Sequence, residues 1–178
     1  LAENLEMDYR NISIQNSVDT MLKSLKNEFL GLKEDTTEEN IQSRIRGSIL
    51  MALSNKFNWI LLTTGNKTEL ALGYCTIYGD MNGGLGVISD LNKLDVYKLA
   101  KWYNKNKNKK IPQNSINKSP SAELSYNQID PFDYNIISPL VDNIIENKKL
   151  IEDMVTDNLD LAFIQKIYQK INNNEFKR

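Results

Sequence analysis

The sequence predicts an α/β domain in which helices connect parallel strands. Residues 59–63 (WILLT) form a short, continuous apolar run, the pattern of a strand buried on both faces of a parallel sheet. Helical periodicity precedes and follows this run, so strands and helices alternate as they do in crossover units. The chain has 178 residues, which is enough for one ordinary domain. We therefore expect a single α/β domain over residues 1–178.

The first predicted elements are a strand and two helices. Residues 9–15 (YRNISIQ) carry β-branched side chains at alternate positions, which predicts a strand. Ser17 then caps a helix that ends near Gly31. Thr37 is the predicted N-cap of the longest helix, which reaches Phe57. Apolar residues repeat every four positions along that helix, at Ile41, Ile45, Ile49 and Leu53.

The central segment combines the apolar strand, a helix and a glycine-rich loop. Gly65 ends the strand at residues 59–63, and a helix resumes at about Thr68. Residues 73–90 contain five of the eight glycines and show no periodicity, which predicts a long loop. Loops of that length in compact domains are usually functional or disordered.

The C-terminal part is predicted to be mainly helical. Asn92 caps a helix that runs to about Tyr103. The Asn-Lys run at residues 104–110 is predicted to be a solvated loop, because both residue types are abundant throughout the chain. Residues 132–147 and 161–173 have the apolar spacing of amphipathic helices.

Two small counts exclude whole classes of chemistry. The chain contains no histidine and one cysteine, Cys75. Ser-His and Cys-His nucleophilic pairs, His-ligated metals, Cys-rich zinc sites and internal disulfides are therefore impossible within it. Any reaction must use carboxylates, lysines, arginines, hydroxyls and backbone amides.

Charge and hydropathy exclude further partners. The 22 Lys and Arg residues nearly cancel the 23 Asp and Glu residues, which removes the electrostatic argument for a nucleic-acid or acidic-membrane partner. The longest apolar run, residues 49–53, is far below the roughly 20 residues that a membrane span requires. No signal segment opens the chain. We expect a cytoplasmic protein with neither a nucleic-acid nor a membrane partner.

The segment from Thr63 to Glu69 (TTGNKTE) is a candidate ligand-binding segment. A strand delivers a hydroxyl-Gly-Asn turn to a helix start, and ligands of parallel sheets bind beyond the carboxyl ends of the strands. Backbone amides at a helix start attract phosphate, and a carboxylate beside phosphates is the usual way to hold Mg²⁺. The alternative is a simple capped helix, in which the dipole alone favours Glu69.

A second candidate site lies on the longest helix. Asn40 and Arg44 are four residues apart and so share one face. Arg44 and Arg46 are two of the four arginines in a Lys-rich chain, and the planar guanidinium suits phosphate or carboxylate recognition. A surface salt bridge to a neighbouring glutamate is an equally good reading of Arg44. The loop GDMNGG at residues 79–84 has backbone groups that suit a ligand, and Lys93 follows it at the next helix start.

Taken together, these segments resemble one family. The stretch RIRGSILMALSNKFNWILLTTGNKTELALGYCTIYGDMNGGLGVISDLNK, with SPSAEL and NEFKR downstream, is similar to NAD synthetase, the amidating member of the N-type ATP pyrophosphatase group. The motifs TTGNKTE and YGDMNGG carry most of the resemblance. It implies a Rossmann-like parallel sheet with flanking helices, of the adenine nucleotide alpha hydrolase-like type.

The resemblance also implies a reaction. Such enzymes adenylate the nicotinate carboxylate of deamido-NAD with ATP and Mg²⁺, release pyrophosphate, and let ammonia displace AMP to give NAD. It places Thr64, Lys93 and Ser121 at ATP, and Glu69 at Mg²⁺ or the substrate, with Glu69 and Lys93 as the catalytic pair. It places Asn40, Arg44, Glu69 and Lys177 at deamido-NAD, and it implies a homodimer or a larger homo-oligomer.

Two features separate this chain from the usual family pattern. The pyrophosphate loop Ser-Gly-Gly-x-Asp-Ser is absent, so we expect a fold incomplete at its N-terminal side, the downstream part of a synthetase domain, and no activity from the isolated chain. Ile77, before Tyr78-Gly79-Asp80, resembles the glutamine-dependent branch, in which a separate amidase supplies ammonia. Cys75 is not a candidate for that amidase nucleophile and is expected to be a small packed hydrophobe.

Two alternatives remain at this stage. One is an incomplete, non-catalytic module that binds nucleotide or only dimerises, for which the absent loop is the best argument. The other is an NAD synthetase that uses free ammonia.

Overall fold

The computed structural model describes residues 1–108 and 110–177. The α-helices are α1 (Gln15–Leu25), α2 (Thr36–Phe57), α3 (Lys67–Leu72), α4 (Lys93–Asn106), α5 (Gln113–Asn117), α6 (Tyr134–Ile145) and α7 (Leu161–Asn173). The strands are β1 (Leu62–Thr63) and β2 (Leu85–Gly86). Short 3-10 turns lie at Glu3–Leu5, Glu152–Met154 and Glu175–Lys177.

The two strands pair in parallel and confirm the α/β fold class. Leu62 lies opposite Leu85, and Thr63 lies opposite Gly86. Helix α3 follows β1, so β1, α3 and β2 form a parallel crossover unit. β2 falls inside the segment predicted to be a loop throughout, and that prediction is wrong for residues 85–86. A strand of two residues carries too little apolar periodicity to be recognised among five glycines.

The predicted strand at residues 9–15 is wrong. Residues 7–14 have no regular structure, and α1 begins at Gln15. A strand needs a partner for its backbone hydrogen bonds, and β1 pairs with β2 instead. The segment is held by a side chain: the guanidinium of Arg10 lies 4.6 Å from the ring centre of Phe57 and 5.1 Å from that of Trp59.

Helix α2 is the longest described helix and ends at Phe57, as predicted, although its N-cap differs. Asp35 is the cap: its carboxylate accepts from Thr37 N–H at 2.7 Å, and Glu38 accepts from Asp35 N–H at 2.8 Å. This reciprocal capping box satisfies two N–H groups at once, so it prevails over the predicted cap at Thr37. The helix stops at Asn58, whose φ of 54° is left-handed.

The apolar run at residues 59–63 is only partly a strand, and it is not buried on both faces. Ile60 is 68% exposed and Leu62 is 47% exposed. Only Leu62–Thr63 is paired, because β2 is the one strand beside it within the described residues and has two residues itself. The side chains of Ile60 and Leu62 are exposed because no described element packs over them. The predicted strand is therefore correct for residues 62–63 and wrong for residues 59–61 and for the burial of its side chains.

Most of the buried core lies between α3, α6 and α7. Its buried members are Ala71, Leu72, Ile137, Leu140, Val141, Met154, Ile164, Ile167 and Ile171. The predicted C-terminal helices are confirmed, α7 with the predicted bounds and α6 slightly shorter than residues 132–147. The core thus fixes α3, the helix that carries Glu69, against the C-terminal helices.

Helix α4 begins as predicted and extends further than predicted. Asn92 is its N-cap and accepts from Asp95 N–H at 2.9 Å. The helix runs to Asn106 and so takes in the first residues of the predicted loop at 104–110, of which Lys109 lies outside the described residues. In the part of the chain that the structure describes, no helix is long and apolar enough to span a membrane.

Candidate functional site

A cavity of about 690 Å³ opens at the carboxyl end of β1, between α2 and the start of α3. Thr64, directly after β1, lies in its wall together with Glu69 of α3 and Lys93 of α4. The opposite wall comes from α2 and the segment after α3, and residues 121–124 close a third side. This is where ligands of parallel sheets are expected.

Glu69 is held by the start of its own helix. Asn66 caps α3 by accepting from Glu69 N–H at 3.2 Å, and Glu69 Oε2 accepts from Asn66 N–H at 3.1 Å. The capped-helix reading of the sequence is therefore correct locally. It does not exclude a ligand role, because the same carboxylate also faces the cavity.

The other oxygen of Glu69 forms an ion pair with Lys93. Lys93 Nζ lies 2.8 Å from Glu69 Oε1, and both side chains are about one-fifth exposed. The Lys93 ammonium also lies 5.3 Å from the ring centre of Tyr134, within cation–π range. Two residues that are 24 positions apart thus form one charged pair at the cavity wall.

The α2 wall is bonded tightly to residues 76–80. Asn40 Oδ1 accepts from Thr76 Oγ1 at 2.7 Å. Ser43 donates to Asp80 Oδ1 at 3.1 Å and accepts from Asp80 N–H at the same distance. A Cβ on Gly47 would lie 2.8 Å from the carbonyl oxygen of Gly79, so only glycine permits this approach.

Ser121 lies on a segment that two glutamines tie to α2. Gln42 donates to the Leu124 carbonyl at 3.0 Å, and Gln128 donates to Glu39 at 3.0 Å. Ser121 lies in the cavity wall with its hydroxyl accepting from Glu123 N–H at 3.1 Å. Side-chain bonds to α2 therefore hold this third wall.

Lys177 reaches the cavity from the C-terminal turn. Its ammonium donates to the carbonyl oxygens of Gly73, at 2.8 Å, and Cys75, at 3.0 Å. Gly73 ends α3 with a left-handed φ of 67°, so the cation satisfies carbonyls in the segment that directly follows that helix.

Two groups in the cavity wall, the Tyr74 hydroxyl and the Cys75 thiol, have raised pKa values. Burial, with the nearby Asp130 carboxylate, raises the pKa of Tyr74 to about 12. Burial raises the pKa of the half-buried Cys75 thiol to about 11, although Lys177 opposes the shift. The thiol is therefore protonated at neutral pH, as befits a small packed hydrophobe and not a nucleophile.

The structure brings six of the seven predicted site residues to one cavity. They are Asn40, Thr64, Glu69, Lys93, Ser121 and Lys177. Arg44 is the exception: it is exposed, and its Nε donates to the Ile77 carbonyl at 3.2 Å. Arg46, on the other side of α2, lies in the cavity wall instead. The assignment of Arg44 to the substrate stays a prediction.

The described cavity wall carries more negative than positive side chains. Its acidic residues are Glu39, Glu69, Asp80, Glu123 and Asp130, and its basic residues are Arg46, Lys93 and Lys177. Five carboxylates against three cations leave a formal charge of −2. Such a wall does not by itself neutralise a polyphosphate, so additional cations are needed for one to bind.

The donor set fits Mg²⁺ held together with substrate. Among the described residues, no group of three or more His, Cys, Asp and Glu side chains can hold a metal ion by itself. Mg²⁺ usually binds through one or two carboxylates, with phosphates and waters completing the shell. Glu69 supplies one such carboxylate, and a carboxylate has lone pairs for a further partner besides Asn66 and Lys93.

Sequence reasoning missed Ser43, Thr76 and Gln128, and it singled out Arg46 together with Arg44 without assigning Arg46 to a ligand. Ser43 and Thr76 both donate to the carboxylate of Asp80, which lies in the GDMNGG loop. A carboxylate in such a loop needs hydrogen-bond donors, and this requirement is the signal that could have led to these two residues. Gln128 has no local signal, because its contact with Glu39 joins residues 89 positions apart.

The parallel βαβ unit, with a cavity beyond β1 that carries charged side chains, defines an α/β protein of the class whose ligands bind beyond the carboxyl ends of the strands. The family model described as NAD synthase matches residues 1–178, and the chain belongs to this family.

Two glutamine-dependent NAD(+) synthetases are similar to this chain over its full length. A glutamine-dependent NAD(+) synthetase of Thermotoga maritima is 43% identical over 182 residues, covering 100% of this chain and 32% of the relative. One of Synechocystis is 40% identical over 181 residues, with the same coverage. The chain thus spans about a third of the length of these relatives.

Solved structures of NAD and NMN synthetases are also similar to this chain. A glutamine-dependent NAD+ synthetase from Acinetobacter baumannii in complex with ADP is 34% identical with a TM-score of 0.65, covering 99% of this chain and 32% of that one. An NH3-dependent NAD synthetase from Campylobacter jejuni is 28% identical with a TM-score of 0.75, and an NMN synthetase from Francisella tularensis is 25% identical with a TM-score of 0.78. This chain covers 65% and 66% of those two structures, respectively.

Proposed function

We propose that this chain is the downstream part of a synthetase domain that converts deamido-NAD to NAD. The nicotinate carboxylate attacks the α-phosphorus of ATP and pyrophosphate leaves, which gives an acyl adenylate. Ammonia then attacks the acyl carbon and AMP leaves. The observation that carries this proposal is the Glu69–Lys93 pair at the end of β1, in one cavity with Thr64, Ser121 and Lys177.

The first step needs positive charge near the departing pyrophosphate. Lys93 is the cation that faces both Glu69 and the cavity, so it is suited to stabilise charge on the phosphates. Glu69 would hold Mg²⁺ together with the ATP phosphates, and the ion would supply positive charge that offsets the charge of the polyphosphate. Thr64 and Ser121 supply hydroxyl donors on two sides of the cavity.

The deamido-NAD subsite lies along α2 and the C-terminal turn. Asn40 and Lys177 face the cavity there, and Arg44 lies beside it at Ile77. Asn40 offers an amide, and Lys177 offers an ammonium that already recognises carbonyl oxygens. Amide and ammonium donors suit the carboxylate and carbonyl groups of a nicotinate ring.

Glutamine is the proposed source of ammonia. Several relatives named as glutamine-dependent are 38–43% identical to this chain. Cys75 is half-buried with a raised pKa, which does not suit an amidase nucleophile, so the proposal places that nucleophile on a separate amidase. We further propose that the enzyme is a homodimer or a larger homo-oligomer.

The test is a product assay on the full-length protein. It is incubated with ATP, Mg²⁺, deamido-NAD and either glutamine or ammonium, and NAD, AMP and pyrophosphate are quantified. NAD and AMP in equal amounts support the proposal, and nicotinate mononucleotide as the preferred substrate would redirect it towards an NMN synthetase. Product with ammonium but not glutamine would identify the ammonia-only alternative. Absence of AMP under all conditions would leave only the non-catalytic module.

A further inference from the structure

Asp142 of α6 lies between the starts of the two helices that carry the Glu69–Lys93 pair. Its Oδ1 lies 2.6 Å from the ammonium of Lys67, the first residue of α3. Its Oδ2 accepts from the side-chain amide of Asn92, the N-cap of α4, at 2.6 Å. One carboxylate therefore uses both oxygens to join two helix starts.

We propose that Asp142 is the positioning residue that sets the distance between Glu69 and Lys93, an inference that rests on the proposed function of that pair. Glu69 is two residues beyond Lys67, and Lys93 directly follows Asn92. A shift of either helix start therefore moves one member of the pair relative to the other. Asp142 itself is separate from the cavity wall and acts through Lys67 and Asn92.

The charges of this junction favour a carboxylate at position 142. Helix N-termini carry positive partial charge, and α3 and α4 both present their N-termini here. The Lys67 side chain is only 12% exposed, so its ammonium needs an anionic partner. Burial alone lowers the pKa of Lys67, but the bonds and charges of Asp142 and Glu146 outweigh it and raise the pKa.

Neutral hydrogen bonds also join the two helix starts at this junction. Lys67 N–H donates to the Leu91 carbonyl at 2.8 Å, and Lys93 N–H donates to Thr68 Oγ1 at 3.2 Å. Thr68 Oγ1 also lies 3.1 Å from Ser138 Oγ, and Thr68 and Ser138 are fully buried. These bonds join the two helix starts through their backbone, and Asp142 adds the side-chain link between Lys67 and Asn92.

Glu146 provides a matched control. It also pairs with Lys67, at 2.5 Å, but its side chain is 56% exposed, and the side-chain amide of Asn92 donates to Asp142 instead. Asp142→Asn and Glu146→Gln therefore remove the same charge from the same lysine. Only Asp142→Asn affects the link to α4.

The experiment measures adenylation kinetics of both variants in the full-length protein, as a function of ATP and Mg²⁺. We expect Asp142→Asn to lower kcat about tenfold or more, because small misplacements remote from the chemistry have effects of that size. We expect Glu146→Gln to stay within about twofold of wild type on the same grounds, since α4 keeps its anchor. Equal kinetics for the two variants, or a loss in Asp142→Asn that matches only its unfolded fraction, would overturn the proposal.

A second measurement is independent of activity. The coupling between Glu69→Gln and Lys93→Met is measured from unfolding midpoints in the wild-type, Asp142→Asn and Glu146→Gln backgrounds. We expect the coupling to persist with Glu146→Gln and to fall by at least about half with Asp142→Asn, since coupling requires contact. Unchanged coupling with Asp142→Asn would refute the positioning role. If wild type does not adenylate, the proposed function fails, and this cycle still decides the role of Asp142.

Discussion

Glu69 Oε1 lies 2.8 Å from Lys93 Nζ, while Glu69 Oε2 accepts from the backbone N–H of Asn66 at 3.1 Å. The carboxylate therefore caps its own helix and pairs with a cation across the cavity wall. Substitutions that keep one of these two contacts and remove the other can separate the structural role from the chemical one.

Glu69→Gln is the first such substitution. Glutamine still completes the capping box, so we expect the fold to persist, with a loss of about 0.3–1 kcal/mol from the helix dipole in addition to the loss of the ion pair with the largely buried Lys93. Adenylation with Mg²⁺ should fall far more, because the carboxylate is lost. The rate of adenylation is measured as AMP release by the full-length protein, and Glu123→Gln, in the same cavity, is the control. Activity within about threefold of wild type, or roughly 0.65 kcal/mol in barrier, would refute the metal role.

Arg44 and Arg46 can be compared directly. If Arg44 grips deamido-NAD, Arg44→Lys should weaken its binding by roughly tenfold to a hundredfold, since a charged hydrogen bond is worth about 1.5–3 kcal/mol. ATP affinity should hardly change. Titrations of both ligands, repeated with Arg46→Lys, show which guanidinium binds the substrate. A loss confined to Arg46→Lys would reject Arg44 and follow the geometry of the cavity wall.

Lys177→Met should affect both stability and substrate binding. The ammonium satisfies two carbonyls in the segment after α3, so its removal should cost about 1 kcal/mol, below the usual range for charged bonds because the side chain is partly exposed. Deamido-NAD binding should weaken more than ATP binding. Lys177→Arg, which keeps the charge, is the matched variant in urea unfolding and in the titrations. Equal weakening of both ligands would contradict the assignment to deamido-NAD.

Gly47→Ala tests the close approach of α2 to residues 78–82. Alanine normally favours a helix by about 1 kcal/mol over glycine, but here its Cβ meets two backbone carbonyls and Asn82. We expect a net destabilisation of about 1–3 kcal/mol, the usual cost of overpacking. Ser48→Ala on the exposed side of the same helix is the control. A stabilised Gly47→Ala protein would show that the contact is looser than described.

Cys75 gives a pH-dependent prediction. Its pKa is raised to about 11, so the reactive thiolate should increase about tenfold per pH unit from pH 8 to nearly pH 11. An ordinary thiol levels off near pH 9 because its pKa is about 8.5. Iodoacetamide labelling of the chain, followed by mass spectrometry, reports on this single cysteine, and the urea-unfolded chain is the control. A plateau near pH 9 in the folded state would contradict the burial of the thiol.

The sequence predicted helix caps and helix bounds better than it predicted which strands pair. Asn92 and the bounds of α7 follow from capping and apolar spacing, which are local properties. The strand at residues 9–15 failed because a strand depends on a distant partner, and β2 was missed because two residues show no period.

In the candidate site too, the sequence predicted the residues better than the contacts that hold them. Six of the seven predicted residues lie in one cavity, but their inclusion depended on family resemblance, since each signal was weak alone. The contacts that hold the site, such as Gln128 with Glu39 and Lys67 with Asp142, join residues 89 and 75 positions apart. No local pattern in the sequence marks such contacts.

The uncovered apolar side chains of the short sheet affect how the chain behaves in solution. Ile60, Leu62, Leu85 and Val87 are each about half exposed or more, on and beside two paired strands. Exposed apolar patches and unpaired strand edges promote edge-to-edge association. The 178-residue chain on its own should therefore be prone to concentration-dependent precipitation, and dilution or mild solubilising additives should improve its handling.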